Sequence, residues 1–297
     1  MVQLADLHRH LDGSLRHATL AELLGRDPGD VRFHAAMGLR GALDRFLLTL
    51  SVLQQPEPVR RVAREICEDA AADGVTTLEI RFAPQLHLER GAAIEAILDA
   101  AIEGCAGRAG ILLCGLYGEP PIVLERLVSL AATRSGVVGI DLAGGPAGGH
   151  LFALADYAAP YRRAAELGLG RTVHAGEGRP AAEIRDAILL LGAQRIGHAV
   201  TLLDDPAVVE LVRERGVTLE ACPTSNTHTG VIASVAAHPL PRWLDAGIKV
   251  CVNTDNTLFS DVVASEEHRR AAAIPGMDAA RLARAVAHGH AAAFKRS

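Results

Sequence analysis

The chain has 297 residues, 49% of them apolar and 3% aromatic, with 30 basic against 35 acidic side chains for a net charge of −5. This composition is a poor fit to a disordered, collagen-like or disulfide-dense chain, and the length suits one large α/β domain or two average ones, burying on the order of 75% of the unfolded surface without a metal. Mild acidity without a basic cluster points away from nucleic acid and toward a small-molecule partner.

Met1 to Asp12 carries charges and histidines where a signal peptide needs an apolar core. No apolar run approaches the ~20 residues of a membrane span, so a cytoplasmic protein without membrane attachment is expected. From there, short β-rich apolar runs alternate with longer stretches of helical period, the pattern of a parallel sheet with crossover helices. Eight such runs occur: Leu4–His8, Thr76–Phe82, Ile111–Tyr117, Val137–Leu142, Arg171–Val173, Arg195–Gly197, Thr218–Ala221 and Lys249–Asn253. Most are continuously apolar, as parallel strands covered on both faces require.

Between the first two runs, residues 12 to 75 predict three helices, near Leu20–Leu24, at Ala42–Leu53, and after Pro58 as far as Asp73. Further along, Ile94, Ile97, Leu98, Ala101 and Ile102 trace one helical face, and Pro180 and Pro206 occupy positions that a first helical turn tolerates. Gly74, Gly168, Gly216 and Gly247 each stand where a helix would end before the next strand. Cys67, Cys105, Cys114, Cys222 and Cys251 are odd in number and lack a CxxC pair, which reads as reduced, buried thiols. Eight β-then-α units, closed by a helix over Asp278–Lys295, predict a (β/α)8 TIM barrel with extra helices after strand 1 forming a cap, in one domain over 1–297.

Residues able to do chemistry gather where these strands end. The first is followed by His8-Arg9-His10-Leu11-Asp12, and residues two apart on a strand face the same side. The fifth leads into His174-Ala175-Gly176-Glu177, the sixth into His198, and the eighth into Asn253-Thr254-Asp255-Asn256. Barrel-end histidines with a carboxylate supply the nitrogen and oxygen ligands that suit Zn²⁺, or Fe²⁺ or Mn²⁺.

These segments, with Arg195-Ile196-Gly197-His198 and Cys222-Pro223-Thr224-Ser225-Asn226, resemble the adenosine deaminase family of the amidohydrolase superfamily from about Leu4 to Thr257. The resemblance implies one zinc held by His8, His10, His174 and Asp255, with Glu177, His198 and Asp255 as the catalytic groups. Glu177 matches the family's proton donor to purine N1, and His198 the group that accepts the water proton or orients the hydroxide. Asp12 matches the contact to the ribose 5′-hydroxyl. Gly144 matches the backbone amide at purine N3, where a missing Cβ permits close approach to a flat ring. Phe46, Leu47 and Leu50 resemble the apolar gate on the ribose side. Two-metal amidohydrolases bridge their metals with a carboxylated lysine, whereas only Lys249 and Lys295 exist here, which leaves a mononuclear centre.

Two departures bear on substrate. Asn256 replaces a second aspartate at the purine N7 position; its amide donates to N7 without having to be protonated. Leu50 stands where an aromatic residue is usual. The expected reaction is hydrolytic deamination of adenosine, and of 2′-deoxyadenosine, in purine salvage. The alternatives are deamination of adenine or of a 5′-modified nucleoside such as 6-aminodeoxyfutalosine or methylthioadenosine, a non-catalytic nucleoside-binding protein, and a general amidohydrolase acting on a cyclic amide or phosphoester.

Overall fold

The structure, a computed structural model, describes residues 3–35, 37–145 and 149–295. Eight parallel strands follow one another around a barrel in chain order: β1 (Leu4–His10), β2 (Val75–Phe82), β3 (Gly110–Leu116), β4 (Val137–Ala143), β5 (Gly170–Ala175), β6 (Arg195–His198), β7 (Thr218–Ala221) and β8 (Lys249–Val252). All eight expected strands are present. The largest extensions are at β1 and β5, each running two residues further at its carboxyl end and so carrying His10 and His174 within the strand.

Before β2 lie α1 (His17–Leu24), α2 (Gly38–Val52) and α3 (Pro56–Ala72). The ring then continues through α4 (Ile94–Cys105), α5 (Pro121–Ala132), α6 (Ala158–Glu166), α7 (Ala181–Leu191) and α8 (Pro206–Arg215). It ends with α9 (Pro223–His228), α10 (Leu240–Asp245), α11 (Thr257–Ser260), α12 (Ala264–Ala272) and α13 (Ala279–Ala292). Not all of residues 12 to 75 caps the barrel, because α3 packs against α4 as an ordinary crossover helix, tied to it by Arg60–Glu103 (2.8 Å). Of α1, α2 and α3, only α2 lines the catalytic mouth among the described residues, together with Phe33 from the segment ahead of it. Pro206 opens α8 as expected, whereas Pro180 sits one residue outside α7, at its cap.

Closure between β8 and β1 uses a single bridge, Arg9 with Asp255, beyond the end of β8. Asp255 N–H donates to His8 O and His10 N–H to Asp255 O, both at 2.8 Å. The backbone bonds that close the barrel therefore also clamp Asp255 between two histidines.

Candidate metal and catalytic site

His8 and His10 lie on one face of β1, His174 is near the end of β5, His198 ends β6, and Asp255 follows β8. His10 Nε2 is 3.3 Å from His174 Nε2 and 3.4 Å from Asp255 Oδ1, and His8 Nε2 is 3.6 Å from the same oxygen. Ligands about 2.0–2.2 Å from one tetrahedral ion stand roughly 3.3–3.6 Å apart, so these spacings match the edges of a coordination shell. His8 Nε2 is buried and has no hydrogen-bond partner, an orphaned lone pair that a cation would satisfy. The residues present thus fit a metal ion. His198 also groups with His8 and His174, but its ring is held elsewhere: Asn226 Nδ2 is 3.0 Å from Nδ1, and Nε2 faces Glu177 Oε2 at 3.9 Å.

Behind these rings lies a buried ionic layer. His8 Nδ1 bonds Glu220 Oε2 at 2.7 Å, and His174 Nδ1 bonds Asp141 Oδ1 at 3.2 Å with Oδ2 at 3.0 Å. Protons parked on the δ nitrogens leave the ε nitrogens free as ligands, the usual way a carboxylate orients a metal-binding imidazole. Arg81, wholly buried, joins the two carboxylates through Nη1 to Asp141 (2.9 Å) and Nη2 to Glu220 (2.8 Å). Burial alone would raise both carboxyls. The His174 and Arg81 charges outweigh it at Asp141, as Arg81 and Arg195 do at Glu220, and both carboxyls are held below the ordinary carboxylate range. Burial also keeps His8, His10 and His198 well below the usual imidazole value, hence neutral and able to coordinate or bond through a lone pair.

Glu177 reaches the site through a turn in which Gly176 and Gly178 take φ of 70° and 67°, a region costly for residues with a Cβ. A Cβ on Gly176 would meet Ile184 Cδ1 at 2.6 Å, so the turn also needs the space. Burial lifts the Glu177 carboxyl to about 7, poised to hold or release a proton at neutral pH. Asp255, lifted by burial to about 6, accepts a 2.5 Å bond from Ser225 Oγ. His198, Ala199 and Asp255 all have positive φ without being glycine, so backbone strain concentrates here.

One small cavity, about 50 Å³, brings together His10, His174, Glu177, His198, Asp255 and Asn256 with Gly144. Larger cavities lie elsewhere, but none contains this chemistry. This volume is far below the ~300–1,000 Å³ of small-molecule sites, and α2 supplies four of the residues that narrow it. The gate corrects the expected one. Leu39, Ala42, Leu43 and Phe46 line the cavity at i, i+3, i+4 and i+7, whereas Leu47, rotated about 100° past Phe46, is 68% exposed and takes no part. Leu50 continues the stripe one turn beyond the cavity and does not line it. Phe33, unread in the sequence, completes the wall, stacked on Phe259 at 4.9 Å. Asp12 is buried but outside the cavity wall, with Oδ1 unpartnered and its carboxyl raised by burial to about 7.

Comparison with known proteins agrees with this geometry. The family model described as adenosine deaminase matches residues 4–296. An adenosine deaminase of Enterococcus faecalis is 35% identical, covering 90% of this chain and 84% of its own length. Among solved structures, an adenine deaminase from Arthrobacter aurescens is similar at 28% identity and a TM-score of 0.88, covering 99% of this chain and 94% of that one. An N6-mAMP deaminase of Arabidopsis is similar at 25% identity and a TM-score of 0.86, covering 98% and 93%.

Proposed function

The chain belongs to the adenosine deaminase family, and on that premise we propose that it hydrolyses adenosine and 2′-deoxyadenosine to the inosine nucleosides and ammonia, a step of purine salvage. The observation that carries this reading is the juxtaposition of His10 and His198, kept neutral by burial, and of His174 with Glu177, whose carboxyl burial holds at about 7. His8, His10, His174 and Asp255 would hold one zinc ion. Bound there, zinc acts as a Lewis acid that lowers the pKa of water toward neutrality.

The protein's own groups do the rest. Gly144 presents its backbone at the cavity, matching the contact to purine N3, and the Asn256 side chain donates to N7. Glu177 Oε2 donates a proton to N1 as charge develops there during attack of water at C6. His198 Nε2, 3.9 Å from Glu177, orients the attacking oxygen or accepts its proton. Water adds to C6, the C6–N6 bond breaks, and N6 leaves as ammonia with protons supplied by the water and returned through Glu177. Closure of Leu39, Leu43 and Phe46 over the mouth shields these proton transfers from bulk water.

The test is ammonia release by metal-replete protein from adenosine, adenine and a 5′-modified nucleoside assayed side by side. Adenosine turnover with adenine inert supports the proposal. Release from adenine alone assigns the free base instead.

A further inference from the structure

At the opposite end of the barrel, where β5 to β8 begin, lies a cavity of about 490 Å³ that the deamination site does not use. Its wall carries Arg171, Arg195, Lys249 and Lys295 and, among the described residues, no Asp or Glu. Lys249 and Lys295 are the only lysines of the chain, so both of its ammonium groups meet at this one place. Arg195 is already neutralised by Glu79 and Glu220, its guanidinium 3.7 Å above the Phe294 ring. The other three cations have no carboxylate partner among the described residues.

Arg171 carries most of the argument. Its Nε donates to Gly192 O at 2.9 Å and its Nη1 to Leu169 O at 3.2 Å, so its hydrogen bonds go to neutral carbonyls. Those carbonyls satisfy geometry without cancelling charge, and burial accordingly pushes the guanidinium below its ordinary value. Lys249, beside Gly216, places a second uncompensated cation in the same wall. Arg171 is half-buried without a counter-charge, a cost that an anion would relieve, while Lys249 and Lys295 are exposed at the rim and free to turn toward the same anion.

We propose that this cavity binds a phosphoryl group, with Arg171 and Lys249 as its principal partners and Lys295 beside them. A planar guanidinium fork with a point-charge ammonium is the pairing that phosphate oxygens accept best. The volume admits orthophosphate and also leaves room for a phosphate ester. The proposal is independent of the deamination chemistry.

The experiment is calorimetric titration of the full-length protein in phosphate-free buffer at fixed ionic strength, with inosine present to fill the deamination site. The probes are orthophosphate and uridine monophosphate, which has no 6-aminopurine. Saturable binding is expected, weakened at least about tenfold in Arg171→Gln/Lys249→Gln and retained in Arg171→Lys/Lys249→Arg. Lys249→Gln alone, at an exposed strand start, gives the same direction should the neutral pair fail to fold. Equal affinity for the two probes assigns free phosphate, and tighter binding of the ester assigns a nucleotide. Absence of saturable binding, binding unchanged in the neutral variants, or the same heat from chloride would overturn the proposal and leave these cations as caps for helix carbonyls.

Discussion

Replacing Glu177 by Gln separates the site's chemistry from its stability. The wild-type carboxyl is held at about 7 by burial against an ordinary value of 4.5. The folded metal-free protein therefore keeps this proton where the unfolded chain has released it. The folded state binds more protons over that range, so stability falls as pH rises from about 4.5 through 7 and then levels off. Between about pH 5 and about pH 8 the loss integrates to roughly 2.5 kcal/mol. Gln cannot ionise. The unfolding free energy of wild type minus that of Glu177→Gln, from urea titrations of chelator-treated protein, should fall by about this amount between the two pH values. Deamination should drop by about 10²–10⁴-fold in kcat/KM, because an amide cannot deliver the proton to purine N1. A pH-independent stability difference, or a variant retaining near-native turnover, would refute the assignment of Glu177 as the buried acid.

Four further outcomes follow from named positions. Asp141→Asn, which removes the charge beside His174 Nδ1 and Arg81, should weaken metal retention about 10–100-fold, read as bound zinc after dialysis against a chelator. Phe46→Ala should open the mouth and raise the KM for adenosine several-fold. Leu47→Ala, at a 68% exposed position, should leave both kinetic constants and the melting temperature unchanged. Gly13→Ala would put a Cβ 1.8 Å from Asn256 Oδ1; the displaced amide should raise KM by about tenfold or more while circular dichroism stays native.

The barrel was legible because its signals are local. Apolar strand runs and the glycines at 74, 168, 216 and 247, all with positive φ, mark element ends without reference to the rest of the chain. His8 and His10 were legible for the same reason, since period two on β1 fixes their shared face. Residues acting at long range were not. Arg81 and Glu220 are 139 positions apart, and nothing local to either says that they meet behind His8. The gate was legible only in part: Phe46 lines the cavity, but the resemblance that points to Leu47 and Leu50 does not carry the helical spacing of Leu39, Ala42, Leu43 and Phe46, which marks the inner face of α2. Phe33, in an irregular segment ahead of α2, had no periodicity to reveal it.

The most direct measurement is the stoichiometry of adenosine conversion by zinc-loaded protein, followed as the fall in adenine absorbance together with released ammonia. The account predicts one inosine and one ammonia per adenosine consumed, lost on chelation and restored by zinc. Adenosine bound without ammonia release, or turnover indifferent to chelation, would contradict it.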